Sequence, residues 1–150
     1  CLESADPYTS GTGTTGKCAG ASASCKPNVT VTGFTDVAKG DEDALLAAAA
    51  QQPVSIAIEA DKSAFQLYKS GILNNAGCGK QLDHGVLVVG YGTDSASTKD
   101  YWKVKNSWGP TWGDAGYIKL ARGKNMCGVA SQASYPTGAK AFQKAVVEEA

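Results

Sequence analysis

The chain has 150 residues, 43% of them apolar and only 19% charged, below the roughly 25% charge typical of soluble domains; this is a globular composition, long enough to bury a core. Fourteen basic and fourteen acidic side chains cancel, so no net field draws the chain to nucleic acid or to an anionic membrane. The longest apolar runs, "ALLAAAA" and "VLVVGY", are far too short to span a bilayer.

The opening stretch "CLESADPYTS" has neither a basic n-region nor an apolar h-region, and it carries no initiator Met. Any targeting segment is therefore expected upstream. Residues 9–28, "TSGTGTTGKCAGASASCKPN", hold Gly, Ser and Thr with almost nothing to bury. They read as a surface loop that a Cys18–Cys25 bridge could staple. A bridge from Cys1 or Cys18 to a segment outside these residues is the open alternative. "NVT" at Asn28–Thr30 is an acceptor site for N-glycosylation, and Pro27 before it favours an exposed turn.

"VTVTGFTDV" alternates and is rich in β-branched residues, so it predicts a strand. "GDEDALLAAAAQQP" predicts a helix, with acidic residues at its positive end, strong formers inside and Pro53 closing it. "VSIAIEA" alternates as a half-buried strand, and "SAFQLYKSGI" predicts a short helix stopped at Gly71. Four short strands follow at "HGVLVVGYG", "DYWKVKN", "GYIKLAR" and "CGVASQASYP", separated by Gly-, Asp- and Asn-rich turns. That spacing suits a small barrel or sandwich. The tail "AKAFQKAVVEEA" has the composition of a short, uncapped helix.

Five cysteines occupy positions 1, 18, 25, 78 and 127, with no C-x-x-C. One histidine, His84, cannot complete a zinc set with cysteines spread this widely, so no metal site is expected. An oxidising compartment would make two bridges and one odd thiol natural.

Two segments stand out: "QLDHGVLVVGYG" at 81–92 and "YWKVKNSWGPTWGDAGYIKL" at 101–120. Taken singly, each has an ordinary explanation. A lone histidine beside a strand is usually structural, Trp108 and Trp112 would pack a core, and Asn106 would bond within a turn. Together, and in order with "QQPVSIAIEADKSAFQLYKSGI" and "NMCGVASQASYP", they resemble the C-terminal half of a papain-family cysteine protease, the group that includes the cathepsins. The resemblance runs over about the first 136 residues, leaving 137–150 as an extension or linker.

The resemblance implies an α+β fold of the papain type, here mainly its antiparallel β-barrel domain with short helices. It also implies a Cys–His–Asn mechanism, in which a thiolate attacks the scissile carbonyl and the histidine serves as acid and base. His84 matches that histidine and Asn106 the residue that orients its ring. Trp108 matches the indole over their hydrogen bond, with Trp112 counted beside it as support. Asp83 matches a cleft residue able to accept a hydrogen bond from substrate backbone, although a turn carboxylate is as good a reading. Ala57, Leu82 and Gln132 match positions lining the pocket for the substrate's second residue on the N-terminal side of the cut. The first two imply an apolar pocket, and the amide of Gln132 implies no preference for a charged side chain. Cys78 and Cys127 match the family's disulfide in this half, which by chain entropy would contribute on the order of 4 kcal/mol.

The family's nucleophile lies in a "C-G-S/A-C-W/Y" context, and no such string occurs here. Cys25, in "SASCKPN", precedes no aromatic and is not matched to it; nor is Cys1. The nucleophile is expected roughly 50 residues upstream of Cys1, together with the glutamine that helps hold the oxyanion. The expected partners are thus the helical half carrying that cysteine, peptide or protein substrates, and a propeptide or cystatin-like inhibitors. No cofactor, nucleic acid or membrane is among them. Alone, the chain is expected to be inactive; joined to its other half, it would be a secreted or lysosomal/vacuolar endopeptidase. The competing class is a papain-fold module that binds peptide or serves structurally without catalysis.

Overall fold

The computed structural model describes residues 4, 7–9, 11–16, 28–75 and 77–141. The elements begin with β1 (Val29–Thr30), β2 (Gly33–Asp36), α1 (Glu42–Ala49), β3 (Val54–Ile58), α2 (Ser63–Gln66) and β4 (Ile72–Leu73). They continue with β5 (His84–Thr93), β6 (Asp100–Lys105), β7 (Tyr117–Ala121), a 3-10 turn at Met126–Gly128, β8 (Ala133–Thr137) and β9 (Lys140–Ala141). The chain divides into two compact units, one made of Cys1–Gly33 with Pro136–Ala150 and the other of Phe34–Tyr135.

In the first unit β1 and β9 pair antiparallel, Val29 against Ala141 and Thr30 against Lys140. Thr32 extends the contact by donating its N–H to the Thr137 carbonyl at 3.0 Å. Gly138 lies at φ +61°, and a Cβ there would fall 2.0 Å from Thr32 Oγ1, so only glycine fits. The tail's first described residues are therefore strand where the composition predicts helix, because pairing with β1 outweighs local propensity. The rest of the tail, 142–150, and the Cys18–Cys25 pair lie outside the described residues.

The second unit is built on the seven-stranded order β2-β8-β3-β5-β6-β7-β4. The β3–β5, β3–β8, β5–β6 and β6–β7 pairs are antiparallel, and β4 joins β7 in parallel. Among the described residues, one face is covered and the other is not. Val54, Ile56 and Ile58 of β3, Val86 and Val88 of β5, Trp102 and Val104 of β6, and Ile118 and Leu120 of β7 all point into one core. The period of two expected of a half-buried antiparallel sheet is explicit in these strands. Helix α1 lies against β3 and β5 and adds Leu45 and Ala48 to the core.

The sheet does not close into a barrel. Closure requires the two outermost strands to bond to each other, but β2 and β4 stand at opposite ends of a linear order. Both are short, four and two residues, and β4 is seated on β7 alone.

Local chemistry accounts for most boundaries. Helix α1 starts where Asp41 caps it, accepting the N–H groups of Asp43 at 3.0 Å and Ala44 at 2.8 Å. Glu42 and Asp43 lie in its first turn, at the positive end of its dipole. Helix α2 is shorter than "SAFQLYKSGI" predicts. Lys62 offers it no side-chain cap, and Tyr68 leaves the helix to donate its hydroxyl to the Gly71 carbonyl at 2.6 Å. "VTVTGFTDV" splits into β1 and β2. The predicted strand at "CGVASQASYP" begins only at Ala133. Asn125, Cys127 and Gly128 all have positive φ, which curls the chain into a turn, and Asn125 Oδ1 ties that turn off by accepting the Ala130 N–H at 2.8 Å.

Glu42 is the main polar anchor between α1 and the β7 end of the sheet. Its carboxylate accepts the Trp102 indole N–H at 2.7 Å, the Gly123 N–H at 2.8 Å and the Asn125 N–H. Replacing Glu42 with Ala should lower unfolding stability by about 2–4 kcal/mol, since three donors lose a charged acceptor. Glu42→Gln should lose less. Urea denaturation of the three chains checks this.

Candidate active site

The candidate site is made by the sheet register. His84 is the first residue of β5 and faces Ile58 of β3. β5 and β6 pair Leu87 with Lys105; continuing that antiparallel register sets Asn106 opposite Val86, one diagonal step from His84. His84, Val86, Val104 and Asn106 share one parity, so both polar side chains sit on the core side of the sheet at its end. Asn106 is 7% exposed, and its backbone N–H is taken by the Gly116 carbonyl at 3.0 Å.

His84 Nε2 lies 2.8 Å from Asn106 Oδ1. The same oxygen accepts the Ser107 N–H at 2.7 Å. A backbone N–H can only donate, so the oxygen of the amide, and not its NH2, must face Ser107 and therefore also the imidazole. Nε2 is then the protonated nitrogen of the neutral ring, and Nδ1 carries the lone pair. Asn106 Nδ2 is buried and has no hydrogen-bond partner among the described residues. That unsatisfied donor is a local cost, on the order of 1–3 kcal/mol, and the two bonds at Oδ1 offset it.

Trp108 stacks on the imidazole with ring centroids 5.1 Å apart and 28° between planes. The indole is itself propped from below. Phe65 of α2, fully buried, meets Trp108 edge-on at 5.5 Å and Trp112 at 5.0 Å, and the two indoles meet at 5.3 Å. Trp112 anchors the group by donating Nε1–H to the Gln66 carbonyl at 3.0 Å. A part-buried hydrogen bond from a ring that is also stacked on an indole holds the ring orientation more firmly than an exposed one.

A profile described as "Papain family cysteine protease" matches residues 1–137. The chain belongs to that family. It is 58% identical over 111 residues to "Cathepsin L" of Sarcophaga peregrina, which covers 72% of this chain and 32% of that protein. It is 54% identical over 113 residues to "Oryzain beta chain" of Oryza sativa subsp. japonica, covering 73% and 24% respectively. Among solved structures, the Amb a 11 cysteine protease of ragweed pollen in its proform aligns with a TM-score of 0.81 at 38% identity. That alignment covers 90% of this chain and 40% of the other. The bromelain protease of Ananas comosus in complex with the E64 inhibitor aligns with a TM-score of 0.67 at 44% identity, over 71% and 50% of the two chains. The chain thus spans about a quarter to a third of the length of these two curated relatives.

The other residues matched to the papain family fall as follows. Cys78 and Cys127 form a disulfide, with Cα atoms 4.9 Å apart and a sequence separation of 49. Asp83 turns its carboxylate onto backbone, Oδ1 accepting the Ala60 N–H at 2.8 Å and Oδ2 the Asp61 N–H at 3.3 Å. Ala57 is half-buried on β3, and its N–H donates to the Gln132 carbonyl at 3.0 Å, which brings those two positions together. Gln132 is exposed. Leu82 is 37% exposed and leans on Gly128, whose added Cβ would lie 2.8 Å from Leu82 Cδ2. Asn28 is exposed, immediately before β1.

Nothing in "SAFQLY" marks Phe65 as more than an apolar residue in a short helix. Its position against both tryptophans is purely tertiary.

Truncating Trp108 to Ala should speed exchange of the His84 Nε2 proton by about tenfold or more, the equivalent of one weakened hydrogen bond. Asn106→Ala should abolish its protection. Nitrogen-15 NMR of the imidazole reads both, and unchanged exchange in either variant would contradict the geometry above.

Proposed function

We propose that this chain supplies the acid/base half of a papain-type cysteine endopeptidase, with His84 as proton carrier and Asn106 as its orienting partner. The observation that carries the reading is the two-donor lock on Asn106 Oδ1. It fixes Nε2 as the protonated nitrogen and leaves Nδ1 as the one that exchanges a proton with the reacting groups. A thiol from the other half gives its proton to Nδ1, forming a thiolate–imidazolium pair. The thiolate attacks the peptide carbonyl, and the leaving amine takes the proton back from Nδ1 as the C–N bond breaks. Water, deprotonated by the same nitrogen, then hydrolyses the thioester. Throughout, Asn106 keeps the ring from rotating and Trp108 keeps water off the bond that does this.

The nucleophile comes from a helical half encoded outside these 150 residues, since no "C-G-S/A-C-W/Y" string occurs in them. The uncovered face of the sheet next to Asn106 supports such a partner. Ser55, Gly85, Leu87, Lys105 and Ser107 line a hollow there of about 350 Å³, floored by strand backbone at Gly85, where a Cβ would meet nothing within 4 Å. Ala57, Leu82 and Gln132 line the pocket that takes an apolar substrate residue, and the segment after the matched residues 1–137 is an extension or linker. The protein works in a secreted or lysosomal/vacuolar setting, where the Cys78–Cys127 bridge is stable. There a propeptide or cystatin-like inhibitors would meet it, and Asn28 can carry a glycan.

The test is reconstitution. This chain alone should neither turn over a fluorogenic Leu-Arg or Phe-Arg peptide nor be labelled by a thiol-trapping epoxide. Joined to the upstream half, it should do both, and His84→Ala should cut turnover by about 10²–10⁴-fold. Serine or glycine at the upstream nucleophile position would sink the protease reading in favour of a peptide-binding module.

A further inference from the structure

Beyond the Ile58–His84 pair, the β3–β5 ladder ends and side chains take over its work. The last backbone bond runs from the Asp83 N–H to the Ile58 carbonyl at 2.9 Å. After it, Glu59 Oε2 accepts the Gln81 N–H at 2.5 Å, and Asp83 returns the contact by accepting the Ala60 and Asp61 N–H groups. Two carboxylates thus cross-stitch 59–61 to 81–83, immediately before His84.

Of the two, Glu59 is the anomaly. It is 2% exposed, one of two buried polar or charged residues beside the described core. Its only cationic partner among the described residues is Lys62, whose Nζ lies 3.0 Å from Oε1 and is itself half-exposed. The bonds from Glu59 and then Asp61 hold the Lys62 pKa above the ordinary lysine value, so this ammonium stays charged through the neutral range. The space around the carboxylate is closed. A Cβ on Gly79 would fall 2.2 Å from Oε2, and the Glu59 N–H is fixed to the Cys127 carbonyl at 2.8 Å, beside the disulfide. Burying a carboxylate is costly, and an apolar side chain would fill the same volume more cheaply. What an apolar side chain cannot do is accept the Gln81 N–H.

We propose that Glu59 is a positioning residue for His84: its buried carboxylate fixes Gln81, and through the three-residue step from Gln81 to His84 it sets the imidazole at bonding distance from Asn106. Asp83 secures the middle of that step, and Leu82 is presented from it toward Gly128. This assignment rests on the reading of His84 as the acid/base.

The test uses the nitrogen-15-labelled 150-residue chain and follows exchange of the His84 Nε2 proton. Glu59→Asp keeps the charge but is one methylene too short to reach Gln81; exchange should accelerate about tenfold, the equivalent of one lost hydrogen bond. Glu59→Gln keeps an oxygen on Gln81 and should restore exchange to near the parent rate. Glu42→Gln, which loosens a distant anchor, should lower the melting temperature without touching His84. Parent-like exchange in Glu59→Asp, or equal acceleration in all three variants, would overturn the assignment. Should Glu59→Asp leave the chain unfolded, Gly79→Ala takes its place, because the added methyl displaces the carboxylate without removing it; acceleration supports the role and parent-like exchange ends it. These readouts need no substrate and no nucleophile. Loss of the positioning effect therefore leaves the protease reading intact, and failure of reconstituted activity leaves the positioning effect measurable.

Discussion

The register between β5 and β6 is the constraint on which the site depends. Leu87 against Lys105 and Val88 against Val104 place Asn106 on the same face as His84 and within 2.8 Å of it. Because side chains alternate with a period of two, a slip of one residue would send Asn106 to the uncovered face and put Ser107 in its place. The core prevents that slip. Val88, Trp102 and Val104 are completely buried, and moving any of them outward would forfeit on the order of 2 kcal/mol of apolar burial each. The ladder does contain an irregularity, between Val88 and Gly90. It lies beyond the Val88–Val104 pair as seen from His84, between that pair and Trp102, so the twist it adds is spent away from His84.

Much of this was legible in the sequence wherever burial is one-sided. The alternation of "VSIAIEA" and "DYWKVKN" and the capped, alanine-rich helix at 41–50 state their own structure, because local propensity and burial agree. The reading failed where tertiary pairing or backbone chirality decides. "CGVASQ" looks extended, but left-handed residues at Asn125, Cys127 and Gly128 bend it. Gly71 reads as a helix stop, yet the helix ends at Gln66, once the Tyr68 hydroxyl finds a carbonyl. Closure into a barrel was beyond the strand pattern altogether, since strands of the same lengths and alternation serve open and closed sheets alike.

The candidate site divides along the same line. His84, Asn106 and Trp108 are visible because their residue types are rare, sit in order and carry a family pattern. Their supports are invisible for the opposite reason. Phe65 is one apolar residue among many, and Glu59 occupies a strand position whose alternation is ordinarily solvent-facing. Only the fold shows that the first lies under two tryptophans and that the second is buried against a glycine. Asp83, next to the histidine in sequence, accepts a backbone N–H with each carboxylate oxygen, a tie that only the fold shows.

The geometry of the imidazole is complete on this chain's own elements. Both donors to Asn106 Oδ1, the ring stacked on His84 and the carboxylates that stitch 59–61 to 81–83 all lie within Phe34–Tyr135. Nothing supplied from elsewhere is needed to choose the tautomer or to aim the ring. In the acid/base role proposed for it, a ring prepared in this way would move the entropic cost of orientation from the reaction to folding, where long-range strand pairing and a disulfide already bear it. What a second half would still have to bring is a nucleophile within reach of Nδ1 and a surface that fills the hollow beside Asn106. Those are demands on docking rather than on the architecture of the histidine. The same reasoning explains why the pair tolerates an unsatisfied amide group at its centre: the orientation that strands Asn106 Nδ2 is the one that puts the proton of the neutral ring on Nε2.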